Sequence, residues 1–242
     1  MTANSQLISV KTVRGLIRKS FQSLFNLHRL KLPFSVLNGN FIKRIFDIVF
    51  ALFFLTIFSP VYFSLMVLIA LNSQGPIFYV QQRIGKNHQP FNCIKFRTMV
   101  NDADQILDNI MENSDQMRSE FQDSFKIKQD PRITKIGKFL RLTSLDELPQ
   151  FWNVLKGEMS VVGPRPLVPE ELPKYGRKIN TVLKIKPGIT GLWQVSGRND
   201  IPYPKRVKID VYYATSHNWL LDLWIVYKTI GVIIFPRNNG AY

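Results

Sequence analysis

The longest apolar run of the sequence, residues 45–71, reads IFDIVFALFFLTIFSPVYFSLMVLIAL. As one α-helix it would be about 40 Å long, enough to cross a bilayer core of about 30 Å. Ser59-Pro60 lies near its middle, and a proline removes a helix hydrogen bond and kinks the axis. Each half is then about 20 Å long, which is too short to cross alone. The run therefore predicts a membrane helix that is broken at Ser59-Pro60.

The charges around this run favour a re-entrant helix over a spanning one. Lys43 and Arg44 precede it, and Arg83 and Lys86 follow it, so the basic residues mark no single cytoplasmic end. A helix that enters and leaves by the same face would keep both flanks in the cytoplasm. Asp47 lies four residues after Lys43, and we expect the two to pair at the membrane interface. A single transmembrane helix stays open as the alternative.

The charge balance requires an anionic partner. The net charge is +15, and residues 1–44 carry eight lysines and arginines without any aspartate or glutamate. Nucleic acid, an anionic membrane surface or a phosphorylated ligand would suit this balance. Residues 7–30 space apolar side chains three or four apart between basic ones, which predicts an interfacial amphipathic helix. A flexible basic tail and a transit peptide are the alternatives.

Several classes of protein and site are not supported. There is no Walker A motif, and no recognised nucleic-acid-binding module, so we expect no nucleic-acid partner. Cys93 is the only cysteine, which excludes an intrachain disulfide and indicates a reducing compartment. The histidines at 28, 88 and 217 lack the spacing of metal ligands, so no thiolate or imidazole metal site is expected.

After residue 72 the pattern changes to that of a mixed helix–strand domain. Residues 76–85 and 91–99 predict two strands joined by a short turn. Residues 101–125 predict one acidic surface helix, and residues 130–144 lead into a further helix that ends at Gly157. The later predicted elements are a short strand within 159–169, a helix near 205–217 and an interfacial or core helix over 218–234. The fold class is therefore α/β, more closely α+β.

The stretch SLDELPQ, residues 144–150, places Asp146 and Glu147 side by side. Ser144 and Glu147 fit a capping box, so the two acids could simply begin a helix. Carboxylates are also the oxygen ligands that Mg²⁺ takes, and an aspartate can attack phosphorus to form an acyl phosphate. The motif alone does not decide between these interpretations.

Basic side chains elsewhere supply the charge that phosphoryl chemistry needs. In GPRP, the prolines on either side of Arg165 restrict its backbone, which suits a guanidinium that binds phosphate in a fixed position. Lys95 projects from a predicted strand, and Arg198 follows a glycine-containing stretch. We predict that these three cations neutralise a diphosphate, and that Asp210 joins the carboxylate pair near Mg²⁺. With a membrane-seated helix, the residues alone predict a lipid-linked phosphoryl-group transferase; ordinary surface charge is the alternative at each position.

Six motifs then match a known family in order. They are KRIFDIVFALFFLTIFSP, GPIFYVQQRIG, FNCIKFRTM, DPRITKIGKFLR, SLDELPQFWNVLKGEMSVVGPRP and PGITGLWQVSGRN. From about Phe41 to Tyr242 the sequence resembles the bacterial sugar transferases, which are monotopic polyprenyl-phosphate phosphoglycosyl transferases. The resemblance implies transfer of a sugar-1-phosphate from a UDP-sugar to undecaprenyl phosphate, with release of UMP. It also implies a place on the cytoplasmic face of the bacterial inner membrane, where such enzymes start an exopolysaccharide, O-antigen or capsule.

The resemblance also assigns roles to residues. Asp146 would be the nucleophile that carries the covalent phosphosugar. Glu147 would assist it, by metal contact or by accepting the proton of the lipid phosphate. Lys95 and Arg165 fall on phosphate-contacting positions, and Asp210 falls on a further functional acid. Magnesium would be the cofactor, with Asp146 and Glu147 as its ligands.

The sugar and the organisation of the chain are less sharply implied. GLWQVSGRND (191–200) and the closing GAY are most similar to members that transfer glucose or galactose 1-phosphate. An N-acetylated amino sugar and a catalytically silent membrane adaptor are the alternatives. We divide the chain into a basic extension (1–40), a re-entrant membrane helix (41–74) and a cytosolic sugar-phosphate transferase domain (75–242).

The basic extension stands where the large hexose-1-phosphate members carry a bundle of membrane helices. The expected partners are a UDP-hexose, undecaprenyl phosphate and anionic membrane lipid. The oligomeric state is left open, with a homodimer as one alternative.

Overall fold

The computed structural model describes residues 39–125, 127, 129–197 and 201–234. The predictions for the basic N-terminal segment, for Arg198 and for the closing GAY lie outside these residues. The division of the chain at residues 40 and 74 stays a prediction.

The apolar run forms two helices, α1 (Gly39–Ile57) and α2 (Ser59–Asn72), which meet at an angle of 61°. The bend falls at the predicted Ser59-Pro60 step. Pro60 lies in the first turn of α2, where a missing N–H leaves no intrahelical bond unmade. The Ser59 hydroxyl donates to the Thr56 carbonyl at 2.8 Å. Among the described residues no single helix is long and apolar enough to cross a bilayer, whereas this bent pair meets that requirement together.

Each of these two helices buries one face and exposes another. The rings of Phe50 and Phe54 on α1 and of Phe58 at the bend follow one another, and Phe54 stacks on Phe151 of the domain with centroids 4.9 Å apart. The opposite face is apolar and exposed. Its side chains are Phe41, Ile45, Val49, Leu52, Phe53, Ile57, Val61, Phe63, Val67, Leu68 and Leu71. So large an exposed apolar surface is the mark of an interaction site.

A β-hairpin follows, formed by β1 (Phe78–Ile84) and β2 (Pro90–Phe96). The strands pair antiparallel, with Phe78 opposite Phe96 and Ile84 opposite Pro90. Both predicted strands are present; β1 is shorter than predicted at both ends, whereas β2 begins one residue earlier and ends three residues earlier than predicted.

The acidic stretch predicted as one surface helix is two helices, α3 (Ala103–Asn113) and α4 (Asp115–Ser124). Ser114 separates them because its backbone is extended, with φ −135° and ψ 100°. Its hydroxyl accepts from the Met117 amide at 3.4 Å and so caps α4. The helical period continues across the break, which is why the pattern alone predicted a single element.

Helix α5 (Lys135–Thr143) leads to the carboxylate pair. Thr134 caps its start by accepting from the Gly137 amide at 2.9 Å. A Cβ on Gly137 would lie 1.9 Å from the Thr98 carbonyl oxygen, so only glycine allows this close approach. The predicted continuation into the next helix is interrupted by a 3₁₀ turn at Leu145–Glu147, and α6 (Gln150–Lys156) then ends at Gly157 as expected.

The remaining elements complete the domain. They are β3 (Ser160–Val162), α7 (Leu172–Tyr175), α8 (Ile179–Val182), β4 (Gly188–Thr190), α9 (Tyr203–Ser216) and α10 (Trp219–Ile234). Strands β3 and β4 pair in parallel. The described residues thus form a mixed, mostly helical domain in which each of the two sheets has two strands. This agrees with the α+β form of the prediction and not with a layered α/β sheet.

Buried polar contacts fasten α1 to the domain. Arg44 donates to two carbonyls in the last turn of α6, at 2.6 and 2.8 Å. The Lys43 ammonium lies 2.6 Å from Asp222 of α10, whereas Asp47 accepts from the Ser160 hydroxyl at 2.9 Å. Lys43 and Asp47 therefore form no direct salt bridge, because each has a closer partner across the fold. Burial raises the pKa of Asp47, and the charge of Lys43 still acts to lower it.

Candidate active site

The carboxylate pair lies in the 3₁₀ turn between α5 and α6. Ser144, the residue before the turn, has φ 59° and ends α5 in the left-handed conformation. The predicted capping box is therefore wrong, because an N-cap residue has extended backbone. The Tyr62 hydroxyl of α2 donates to the Leu148 carbonyl, which directly follows the pair. The second half of the bent helix pair is thus bonded to the loop that carries Asp146 and Glu147.

Lys95 of β2 brings positive charge to both carboxylates. Its ammonium lies 2.6 Å from Oε1 of Glu147 and 3.9 Å from Oδ2 of Asp146. The lysine and Glu147 are 52 positions apart in the chain, so the hairpin and the 3₁₀ turn meet only in the folded domain. The structure thus brings three of the predicted site residues together.

Asp146 is poised between its neutral and ionised forms. It is 8% exposed, and burial raises the pKa of its carboxyl to about 6. Lys95 and Arg141 oppose this rise, and the adjacent Glu147 adds to it. At neutral pH the carboxylate is mainly ionised yet poorly solvated, which suits a nucleophile.

Arg165 faces the same cleft from the loop after β3. Arg83 fixes this loop by donating to the Pro166 carbonyl at 3.0 Å. Burial disfavours the charge of Arg165, but the carboxylates of Glu171 and Glu147 outweigh it and hold the pKa of Arg165 above its ordinary value. Its guanidinium makes no hydrogen bond within the described residues, so its donors remain available for an anion.

The cleft beside the pair has a charged and a neutral part. Arg83, Lys95 and Arg165 supply cations, with Glu147 among them. Gln150, Gln194 and the main chain at 188–189 supply neutral groups. An anion larger than one carboxylate, such as a diphosphate, would match the charged part.

Asp210 is not one of the side chains that line this cleft. It lies on α9, is 1% exposed and accepts from the Tyr175 hydroxyl at 2.7 Å. Burial raises the pKa of Asp210 to about 7, while Tyr175, Arg206 and Arg165 oppose the rise. The structure therefore places Asp210 in a buried polar environment with Tyr175 and away from the lining of the cleft.

Three residues near the site were not singled out from the sequence. Arg83 was taken only as a charge flanking the membrane run, yet it lines the cleft and positions the GPRP loop. Gln150 and Gln194 also line the cleft. Gln150 lies inside SLDELPQ, so its nearness to the pair was the available signal. No local signal marked Gln194.

The described residues contain no group of three histidine, cysteine, aspartate or glutamate side chains able to hold a metal ion. Mg²⁺ commonly uses only one or two protein carboxylates together with phosphate oxygens of the substrate. The adjacent Asp146 and Glu147 fit that smaller requirement.

The fold and the site define a class of protein. A buried aspartate beside a lysine, with an arginine that makes no hydrogen bond to the described residues and a bent apolar helix pair nearby, suits the handling of a phosphorylated substrate at an apolar surface. A family model described as bacterial sugar transferase matches residues 38–236. The chain belongs to this family.

Individual relatives agree with this assignment. The undecaprenyl-phosphate galactose phosphotransferase of Salmonella typhimurium is 46% identical over 207 residues, 85% of this chain and 42% of that protein. The UDP-glucose:undecaprenyl-phosphate glucose-1-phosphate transferase of Klebsiella pneumoniae is 39% identical over 220 residues, 86% of this chain and 43% of that protein.

A shorter relative is matched over most of its length. The exopolysaccharide production protein ExoY of Sinorhizobium fredii is 43% identical over 204 residues, 84% of this chain and 89% of ExoY. The chain thus spans less than half of the galactose and glucose relatives and most of ExoY.

Proposed function

We propose that this protein transfers hexose-1-phosphate, glucose or galactose, from a UDP-sugar to undecaprenyl phosphate and releases UMP. The observation that carries the proposal is the meeting of Asp146, Lys95 and Arg165 at one cleft. Family membership and relatives named for this reaction with galactose and with glucose support it. An N-acetylated amino sugar is the alternative substrate.

The first half of the reaction forms a covalent phosphosugar. A carboxylate oxygen of Asp146 attacks the phosphorus that carries the sugar, and a new oxygen–phosphorus bond forms. The bond from this phosphorus to UMP breaks, and its electron pair leaves on the UMP oxygen. Lys95 and Arg165 neutralise the charge that builds up on the phosphate oxygens and on the leaving UMP. The raised pKa of Asp146 reflects a carboxylate that water solvates poorly, so little solvation is lost when it attacks.

The second half returns the enzyme to its starting form. A phosphate oxygen of undecaprenyl phosphate attacks the same phosphorus, and the bond to Asp146 breaks with its electron pair. The product is the undecaprenyl diphosphate sugar. Glu147, which adjoins Asp146 in the 3₁₀ turn, accepts the proton if the lipid phosphate arrives protonated. Bound Mg²⁺ would be held by Asp146 or Glu147 with substrate phosphate oxygens, and would supply further charge neutralisation.

The bent helix pair supplies the route to the lipid. Its exposed apolar face would enter the cytoplasmic leaflet of the inner membrane as a re-entrant helix. Tyr62 bonds α2 to the main chain after the carboxylate pair, so a lipid phosphate at the membrane surface would arrive near Asp146. ExoY is named for exopolysaccharide production, and we infer that this protein starts such a surface glycan.

A direct assay tests this function. The detergent-purified protein is incubated with Mg²⁺, undecaprenyl phosphate and, in separate reactions, UDP-glucose, UDP-galactose and their N-acetylated counterparts. We expect UMP release with one hexose and its loss in Asp146→Asn. Absence of UMP across the whole panel would contradict the proposal and would favour a silent membrane adaptor.

A further inference from the structure

Two glutamine side chains in the cleft have hydrogen-bonding groups for which the described residues supply no partner. Gln150 is 1% exposed, lines the cleft, and its amide makes no hydrogen bond within the described part of the chain. Gln194 donates through Nε2 to the Ile189 carbonyl at 3.2 Å, while its buried Oε1 has no partner among the same residues. Folded proteins rarely leave buried polar atoms unpaired, so Oε1 of Gln194 needs an explanation, and Gln150 lies in the same cleft.

The fold holds both amides in place. Gln150 begins α6, four positions after Asp146, and its burial restricts the side chain. Gln194 is fixed by its bond to Ile189, which lines the cleft as well. A Cβ on Gly191 would lie 2.1 Å from the Gly163 carbonyl oxygen and 2.5 Å from Oε1 of Gln194, so glycine at residue 191 lets the main chain pass close beside this amide.

The chemistry of an amide restricts what it can bind. Oε1 of Gln194 carries no hydrogen, so it accepts hydrogen bonds and offers nothing to the oxygens of an ionised phosphate. The cations Arg83, Lys95 and Arg165 already serve the charged part of the cleft. A partner for Oε1 of Gln194 must therefore carry a neutral O–H or N–H group and lie next to a diphosphate, and the amide of Gln150, which both donates and accepts, can bind groups of the same kind. A nucleotide sugar carries such groups on both sides of its diphosphate, as hexose hydroxyls and as uridine hydroxyls and the uracil N–H.

We propose that Gln150 and Gln194 bind the neutral hydrogen-bonding groups that flank the diphosphate of the nucleotide sugar. This inference rests on the proposed function and deepens it, because it assigns the uncharged half of substrate recognition to two named residues. Both amides then gain partners when the substrate binds. An analogue that lacks the matching hydroxyl or N–H would leave them unpaired and would be rejected.

The test replaces each glutamine by methionine, which keeps the length of the side chain and removes its hydrogen-bonding groups. Gln105→Met is the matched control, because Gln105 is an exposed glutamine on α3. The KM for the UDP-hexose and the inhibition constant of UMP are measured for each variant. We expect Gln150→Met and Gln194→Met each to raise the KM about threefold to tenfold, the effect of one lost neutral hydrogen bond.

The UMP measurement identifies the contacted group. If an amide binds uridine, the inhibition constant of UMP rises together with the KM. If it binds the hexose, the KM rises and UMP inhibits as in the wild type. Melting temperatures close to the wild type show that the variants fold.

Values within twofold of the wild type for both constants in both variants would overturn the inference, since the amides would then contact only water. Titration calorimetry with UDP-glucose and UDP-galactose separates this failure from failure of the proposed function. A wild type that binds the nucleotide sugar without releasing UMP contradicts the reaction alone. Variants that bind and react like the wild type contradict the role of the glutamines alone.

Discussion

Replacing Lys95 by methionine removes the cation nearest to both carboxylates of the pair. At the observed 3.9 Å, unit charges on Lys95 and Asp146 attract by about 1 kcal/mol in water and about 4 kcal/mol at the weaker screening of a partly buried pair. Because about 1.4 kcal/mol corresponds to one pH unit, the pKa of Asp146 should rise by roughly one to three. It would then lie between about 7 and 9 instead of about 6.

The consequence is a shifted pH profile. The reactive form of Asp146 is the carboxylate, which is lost as pH falls through the pKa of the folded protein. The wild type should therefore lose the first half-reaction below about pH 6, and Lys95→Met should lose it below a midpoint one to three pH units higher. At pH 7 this alone lowers the rate by about twofold to a hundredfold.

The assay is single-turnover release of UMP from the UDP-hexose between pH 5 and 9.5, without lipid. Lys86→Met is the matched control, because Lys86 is an exposed cation in the turn of the same hairpin. Partial recovery of Lys95→Met at high pH is expected. An unchanged midpoint with a uniformly lower rate would refute the reasoning, because Lys95 would then act on the phosphate alone.

Three further outcomes are expected. Asp146→Asn should abolish UMP release and stabilise the fold by up to about 3 kcal/mol at pH 8. The gain in stability is expected because the pKa rise of Asp146 from 3.8 to about 6 measures the cost of burying its charge, and chemical unfolding measures it. Tyr175→Phe removes the hydrogen bond to the Asp210 carboxylate and should destabilise the protein by about 1 to 3 kcal/mol at pH 8. The loss should be smaller at pH 5.5, because the Asp210 carboxylate is ionised only above about pH 7. Tyr62→Phe should slow lipid-dependent turnover about threefold to tenfold, with the exposed Tyr227→Phe as control.

Each of these has a contradicting result. A less stable Asp146→Asn would mean that the carboxylate is well solvated or paired in the fold. An equal loss of stability at both pH values would show that the Tyr175 bond is indifferent to the charge of Asp210. Unchanged lipid-dependent turnover in Tyr62→Phe would separate α2 from the placement of the reacting loop.

Short-range rules predicted the elements that depend on neighbouring residues. The bend at Ser59-Pro60 follows from the missing N–H of proline, and the hairpin strands follow from their composition and the turn between them. The same rules failed where a single residue changes the backbone. Ser114 divides a continuous helical period, and Ser144 ends α5 in the left-handed conformation although its spacing from Glu147 fits a capping box.

Charge pairing over long sequence separations could not be predicted. Lys43 had a plausible partner in Asp47, but the folded chain offers Asp222, which is 179 positions away and buried. Lys95 was singled out as a cation near phosphate, whereas its bond to Glu147 depends on how the hairpin packs against the 3₁₀ turn. Such contacts depend on tertiary packing, which no local pattern encodes.

The covalent phosphosugar on Asp146 is the central claim, and intact mass spectrometry tests it most directly. The detergent-purified protein is incubated with Mg²⁺ and UDP-glucose or UDP-galactose, without lipid, beside Asp146→Asn. We expect that one sugar adds the mass of a hexose phosphate to the wild type, that the variant stays unmodified, and that undecaprenyl phosphate then removes the adduct. A wild type that releases UMP in the presence of the lipid but never carries the adduct would contradict it.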